Sequence, residues 1–314
     1  DVTSEDADRI LENVDLSLPS ITRWDSENRR TLPRIGYEAA FARAAPMHKI
    51  DGPDTYDKYR AEMSRVLRSK ILKRLYRRGE TAYDRDMSVL KLEDGLLRRR
   101  MVFHPAEGQA TPAVVLLDMP TEGADFPTAE AKQFAARANR AGFSVGALEP
   151  TGGDGLPVPV GPEATCRQWK HPNLHRLAVI VGHTLCSLRI QDALAAVAQL
   201  RELEGVDPKR IYVSGRGMLA VPALYAGIVD QDVAGVLLLD PPESHTREEA
   251  AETGLLHVLV HGDLAQAAGL LYPRKCAVVR AELGRWNWTR QLYETLGKPE
   301  GFVHGGPRCP VPLP

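Results

Sequence analysis

The stretch that decides the fold is residues 210–226, which read RIYVSGRGMLAVPALYA. Its first part, residues 211–213, is a short run of β-branched and aromatic side chains, which is typical of a buried strand. A glycine-rich turn, Ser-Gly-Arg-Gly at 214–217, follows at once, and residues 218–225 are apolar and helix-like. The stretch therefore predicts a strand that enters a helix through one tight turn.

Strands and helices alternate on both sides of this stretch. The sequence predicts strands at 87–90, 97–103, 113–117, 143–148, 210–213, 235–239, 276–279 and 301–304, and helices at 129–140, 185–203, 265–272 and 286–296. Such alternation indicates a mostly parallel sheet with helices on both faces. Ligands of such sheets bind at the carboxyl ends of the strands. We therefore expect one functional rim, formed by the loops after residues 117, 148, 214, 239 and 279.

The first 85 residues differ from the rest, and we expect them to form an N-terminal helical extension packed on a body that spans residues 86–314. Residues 54–78 predict its main helix, because apolar side chains recur there at helical spacing. They are Tyr59, Met63, Val66, Leu67, Ile71, Leu72 and Leu75. The opposite face is strongly basic. We interpret it as the solvated face of a docked helix, with binding to an anionic surface as the alternative.

The composition limits the partners and the location of the chain. A formal net charge of −1 over 314 residues provides no basic field for nucleic acid. No apolar run approaches the roughly 18 residues that span a bilayer, and the acidic start DVTSEDADRILENVDL does not resemble a signal peptide. We expect a soluble chain of unknown localisation. A start without Met is compatible with a mature or internal fragment of an exported protein.

The sequence predicts neither a metal nor a cofactor. The four cysteines are scattered and show no metal-binding spacing. His257, His261 and Asp263 would need a helix to converge on a metal, and the β-branched run between the two histidines argues against one. The glycines at 215 and 217 lack the further spacing of a nucleotide-binding loop.

Three segments between residues 86 and 304 resemble the α/β-hydrolase superfamily, closest to the branch of acetyl-xylan esterases and dienelactone-hydrolase-like proteins. VDPKRIYVSG at 206–215 resembles the approach to the nucleophile elbow, and SLRIQDALAAVAQLREL at 187–203 resembles the helix before it. HGDLAQAAGLLYPRKCAVV at 261–279 resembles the segment that leads into the strand before the catalytic acid. The resemblance implies a three-layer α/β-hydrolase fold, in which G-x-S-x-G holds a serine above the sheet.

All three catalytic positions implied by the resemblance are altered. The elbow serine corresponds to Gly217, and the last glycine of the motif corresponds to Leu219. After Val279, where the family places an aspartate, the nearest acid is Glu282, and His304 precedes the glycines that should come before it. We expect a non-catalytic pseudo-esterase that acts in binding or as the structural partner of a catalytic domain. The alternative is an active acetyl-xylan-esterase-like hydrolase with a relocated nucleophile.

Other hydroxyl and imidazole groups are weak candidates for a replacement site. Ser214 ends the predicted strand, and we expect its side chain to point into the sheet rather than up from the turn. Ser244 and His245 follow the strand 235–239 near the predicted rim. We interpret these two residues as a polar loop contact, with a new catalytic pair as the alternative.

We also expect a pocket at the rim, because replacing serine by glycine at the elbow removes volume. The pocket would take a carbohydrate or acyl-ester fragment, unless the side chains of Met218 and Leu219 fill it. Its predicted lining consists of Met119, Pro150, Gly215, Gly217, Asp240 and His245.

Overall fold

A computed structural model describes residues 48–72, 89–92, 97–120, 125–152, 178–180, 182–245 and 253–306, and of residues 89–92 and 97–99 it describes the backbone alone. The predictions for residues 1–47 and for the end of the first main helix, after residue 72, lie outside this part of the chain. All described residues belong to one compact unit, His48–Pro314.

An eight-stranded sheet forms the centre of this unit, with the order β1-β2-β4-β3-β5-β6-β7-β8. The strands are β1 (Val89–Leu92), β2 (Leu97–His104), β3 (Thr111–Leu117), β4 (Ser144–Leu148), β5 (Val206–Arg216), β6 (Gly235–Leu239), β7 (Lys275–Val279) and β8 (Phe302–Gly305). β2 is antiparallel to β1 and β4, and every pairing from β4 to β8 is parallel. The carboxyl ends of six strands therefore share one edge of the sheet.

Helices cover both faces of this sheet. They are α1 (Pro53–Val66), α2 (Ala129–Arg140), α3 (Leu185–Glu202), α4 (Ala220–Val229), α5 (Leu264–Gly269) and α6 (Leu283–Thr295). The larger buried cluster joins α3 and α4 to side chains of β5 such as Val213. The smaller cluster, on the other face, joins Phe134 of α2 to Val114 of β3 and Leu237 of β6. The predicted three-layer architecture around a mostly parallel sheet is confirmed.

The described part of the predicted N-terminal helix packs on α5 through its apolar face. Tyr56 and Tyr59 are buried, and their hydroxyls donate hydrogen bonds to the carbonyls of Gly269 (3.2 Å) and Gln266 (2.7 Å). Burial raises the pKa of Tyr56 to about 12 and that of Tyr59 further, so both remain donors. Met63 is buried with them. The boundary at residue 85 and the role of the basic face stay predictions.

Several helices and strands begin or end a few residues away from the predicted bounds, and two further differences concern the course of the chain. β5 begins at Val206 rather than at residue 210, because Val206 pairs with Thr111 at the start of β3, before an irregularity in the register. The run between His257 and His261 forms a short 3-10 turn, Val258–Val260, after a left-handed His257 with φ 66°. No group of three or more His, Cys, Asp or Glu residues in the described ranges is placed to hold a metal. Nor is any helix there long and apolar enough to cross a membrane.

Candidate functional site

The turn after β5 lies at the middle of the rim, between β3 and β6. Gly217 follows the last residue of β5 with φ 56°, a left-handed conformation that glycine adopts without steric cost. A 3-10 turn, Gly217–Leu219, leads directly into α4. A Cβ at Gly215 would overlap the Leu219 carbonyl, whereas one at Gly217 would meet nothing within 4 Å. The chain therefore keeps a sharp strand-to-helix elbow with an open position at its tip.

Ser214 lies three residues before this tip, inside β5. Its side chain is 0% exposed, and its Oγ has no hydrogen-bond partner among the described residues. Side chains alternate along a strand, so Ser214 shares the sheet face of Tyr212, which packs against the smaller cluster around α2. This hydroxyl is thus enclosed in the sheet and does not reach solvent at the rim.

Ser244 and His245 belong to a buried network that ties the loop after β6 to the start of α5. The Ser244 Oγ and the His245 backbone N–H both donate to the Asp263 carboxylate, at 2.5 and 2.9 Å. A backbone carbonyl can only accept, so the His245 Nδ1 carries the proton and donates to the Thr253 oxygen (3.1 Å). Its Nε2 then accepts from the Tyr225 hydroxyl (3.0 Å).

The environment of His245 keeps its imidazole neutral. The residue is 2% exposed, and burial lowers its pKa to about 4, although the nearby Asp263 carboxylate acts in the opposite direction. Burial also raises the pKa of Tyr225, so the phenol remains the donor to the ring. Both ring nitrogens of His245 therefore form hydrogen bonds inside the protein, one with the Tyr225 hydroxyl and one with the Thr253 carbonyl. Neither of these hydrogen bonds is to Ser244.

His304 and Glu282 lie on neighbouring elements without forming a pair. His304 is on β8, and its Nε2 lies 2.9 Å from the Ala281 carbonyl, to which it donates. Glu282 is the exposed N-cap residue of α6, and its side chain makes no capping hydrogen bond. The imidazole thus contacts the backbone next to Glu282 instead of its carboxylate.

Four charged side chains form a network on the rim, which we call the rim cluster: Arg216, Asp240, Arg280 and Glu130. The Arg216 Nε donates to the Asp240 Oδ2 at 2.8 Å, and its Nη1 pairs with Glu130 in the first turn of α2. The Arg280 Nη1 lies 3.6 Å from the same Asp240 oxygen. The cluster therefore links the ends of β5, β6 and β7 to α2.

Sequence reasoning identified Asp240 alone among these four residues. A usable signal was present, since Arg216 lies between the two elbow glycines and Arg280 follows Val279 directly. Both arginines thus lie within three positions of the end of a predicted buried run, where parallel strands end at one edge. Glu130 gave no comparable signal, because it is an ordinary acidic residue in the first turn of a helix.

The residues of the predicted pocket separate into three groups. Met119 and Pro150 lie after β3 and β4, where the buried Arg189 joins the two loops: its Nε donates to the Thr151 carbonyl (3.0 Å), and its Nη2 lies 3.8 Å from the Met119 Sδ. Gly215, Gly217 and Asp240 lie at the ends of β5 and β6, as expected. His245 belongs to the buried network with Tyr225 and Asp263 instead. The pocket itself stays a prediction.

Solved structures with this fold include carbohydrate esterases. A Bacteroides fragilis protein assigned as an acetyl xylan esterase matches with a TM-score of 0.65 and 12% identity, covering 90% of this chain and 84% of that chain. A family 15 glucuronoyl esterase from Caldicellulosiruptor kristjansonii matches with a TM-score of 0.56 and 14% identity, covering 82% of each chain. A glucuronoyl esterase from Sporotrichum thermophile matches at 0.52 and 16%, covering 84% and 82%.

At these identities the likeness establishes the fold, which is that of the α/β-hydrolases, as the three sequence segments predicted. No protein-family model matches the sequence, and no curated protein is significantly similar to it.

Proposed function

We infer that this chain is a non-catalytic α/β-hydrolase-fold module that binds a carbohydrate or acyl-ester ligand at the strand-end rim. The observation that carries this proposal is Gly217 at the tip of the elbow. The position has the left-handed backbone and the open surroundings that a nucleophile side chain would need, and it has no side chain. Serine hydrolysis requires a nucleophile at this point, with a base in hydrogen-bond reach.

The remaining candidate groups support the same proposal, because each is either buried or held by a hydrogen bond to another part of the chain. Ser214 is enclosed in the sheet, and His245 uses both ring nitrogens in the core. His304 donates from Nε2 to a backbone carbonyl, so this nitrogen carries a proton and cannot act as a base there. A ligand could still bind at such a rim, because binding needs shape and polar groups but no activated nucleophile.

The neighbours assigned as acetyl xylan esterase and glucuronoyl esterase suggest the class of ligand, a carbohydrate that carries ester groups. They also suggest the kind of partner. A module of this fold without a nucleophile would serve as a binding or structural companion of a catalytic esterase domain. This companion role extends the binding proposal and depends on it.

The second candidate function is a working esterase with a relocated nucleophile. One observation favours it: the Ser244 Oγ lies 2.5 Å from the Asp263 carboxylate, which could accept its proton. However, Ser244 is buried and the His245 ring does not complete a relay with it. We therefore rank this function below the binding role.

A hydrolysis panel separates the two functions. Wild-type protein, Ser244→Ala, Ser214→Ala and Gly217→Ser are each assayed with p-nitrophenyl acetate and acetylated xylan. We expect no variant to exceed the rate of a heat-inactivated sample. Hydrolysis by the wild type that Ser244→Ala or Ser214→Ala abolishes would overturn the non-catalytic proposal. Activity in Gly217→Ser alone would show that a base and an oxyanion site survive beside the glycine.

A further inference from the structure

The rim cluster has a feature that the glycine at the elbow does not explain, namely two arginines that share one carboxylate. Arg216 donates to the Asp240 Oδ2 from Nε, and Arg280 approaches the same oxygen from Nη1 without reaching hydrogen-bond distance. A guanidinium presents five donors in a planar fork that matches a carboxylate. A single carboxylate cannot saturate two such forks. Donor capacity therefore remains at the rim, and the Arg280 guanidinium makes no other polar contact within the described residues.

The backbone holds these groups in place before any ligand arrives. Asp240 and Arg280 have φ values of 48° and 61°, which are uncommon for residues with a Cβ. Each strained position is fixed by the neighbouring strand: the Asp240 N–H donates to the Val279 carbonyl, and the Arg280 N–H donates to the Gly305 carbonyl. Backbone strain of this kind concentrates at functional sites, where surrounding contacts sustain it.

Glu130 is the least firmly held member of the cluster. Its side chain is 70% exposed, against 47% for Arg216 and 38% for Arg280. Exposed ion pairs contribute little to stability. Moreover, a carboxylate in the first turn of α2 is favoured by the helix dipole even without an arginine partner. Another carboxylate could therefore take its place on Arg216 at small cost.

We propose that the rim cluster binds the carboxylate of a small organic acid between Arg216 and Arg280, and that Glu130 is the internal competitor for this place. With Glu130 displaced, two arginines and Asp240 leave one net positive charge. A carboxylate neutralises this charge, whereas a phosphate dianion would exceed it. A Cβ at Gly217, next to Arg216 in the chain, would meet nothing within 4 Å, so no described side chain blocks the approach of a ligand at this point. The inference names the charge of the ligand at the same rim, and so it rests on the proposed binding function.

Equilibrium dialysis with labelled gluconate tests this site, with sorbitol as the matched sugar alcohol that lacks the carboxylate. We expect saturable binding of gluconate and none of sorbitol at constant ionic strength. Arg280→Gln should weaken gluconate binding at least tenfold, because it removes one of the two forks. Glu130→Gln should strengthen it several-fold, because it removes the competitor. Circular dichroism and the melting temperature check that each variant is folded.

The matched controls are Arg290→Gln and Glu294→Gln, which break an exposed pair of the same type on α6. We expect both to bind gluconate as the wild type does. The inference is wrong if sorbitol binds equally well, if folded Arg280→Gln retains full affinity, or if Glu130→Gln binds no tighter. Tighter binding of inorganic phosphate than of gluconate would overturn the assignment to a carboxylate.

The dialysis uses no ester, so its outcome and that of the hydrolysis panel are independent. Failure of gluconate to bind removes this inference and leaves the question of hydrolysis as it stands. Hydrolysis by the wild type overturns the non-catalytic role and leaves any binding result intact.

Discussion

The elbow predicts opposite consequences for side chains added at its two glycines. Gly217 has left-handed backbone and open surroundings, so Gly217→Ala meets strain alone. The left-handed conformation lowers the stability of the folded state by about 1–2 kcal/mol once a Cβ is present. The lower conformational entropy of the unfolded alanine variant offsets about 0.4–1 kcal/mol of this loss. We therefore expect a net loss near 1 kcal/mol in the free energy of unfolding, and a similar loss for Gly217→Ser.

Gly215→Ala meets a different obstacle, because its Cβ would overlap the Leu219 carbonyl and the backbone cannot move without shifting α4. Overpacking that forces a backbone shift costs about 1–3 kcal/mol and occasionally more, and we expect Gly215→Ala to lie at the upper end because the obstacle is a backbone carbonyl. Urea denaturation of the two alanine variants, followed by circular dichroism, measures the difference directly. Equal losses for the two variants, or a larger loss for Gly217→Ala, would refute the elbow geometry described above.

Three further predictions concern buried polar contacts and the rim. Tyr59→Phe should lower the free energy of unfolding in urea by about 1–3 kcal/mol, because it leaves the buried Gln266 carbonyl without its donor; a loss below about 0.5 kcal/mol would contradict the docking of α1. His245 has a pKa of about 4 in the folded chain and about 6.5 when unfolded, so the unfolded state binds more protons between these values. Stability should therefore fall by about 3 kcal/mol as the pH drops from 7 to 4, and His245→Gln should show a smaller fall in urea titrations at both pH values. High salt should weaken gluconate binding to the wild type. Raising NaCl from about 50 mM to about 500 mM shortens the electrostatic screening length about threefold, and an affinity that stays unchanged over this range would argue against a charged site.

Features with a local cause could be predicted from the sequence. The β5–α4 elbow follows from a β-branched run, two glycines and an apolar helix in succession, and the docking face of α1 follows from the spacing of Tyr59 and Met63. The buried state of Ser214 followed from its place inside the strand. In each case residues close together in the sequence determine the conformation, so a short stretch of sequence is enough to predict it.

Features that depend on distant partners could not be predicted in the same way. His245 follows a strand end, and this position predicted that it lies at the rim. Its ring is instead buried, with hydrogen bonds to Tyr225 and to the Thr253 carbonyl, and its backbone N–H donates to Asp263. These three partners come from three other segments of the chain. The rim cluster likewise joins Arg216 to Glu130, which lies 86 positions away in the chain. Such contacts depend on how the strands pair in the sheet. No periodicity in the sequence specifies which charged side chains at the strand ends come into contact.

Covalent labelling shows whether the elbow holds a reactive nucleophile. Wild-type protein is incubated with a fluorophosphonate and its intact mass is measured, with a known serine esterase as the positive control. We predict an unchanged mass for this chain under conditions that label the control completely. A single added phosphonyl group, mapped by peptide sequencing to Ser214 or Ser244 and lost in the corresponding alanine variant, would contradict the account.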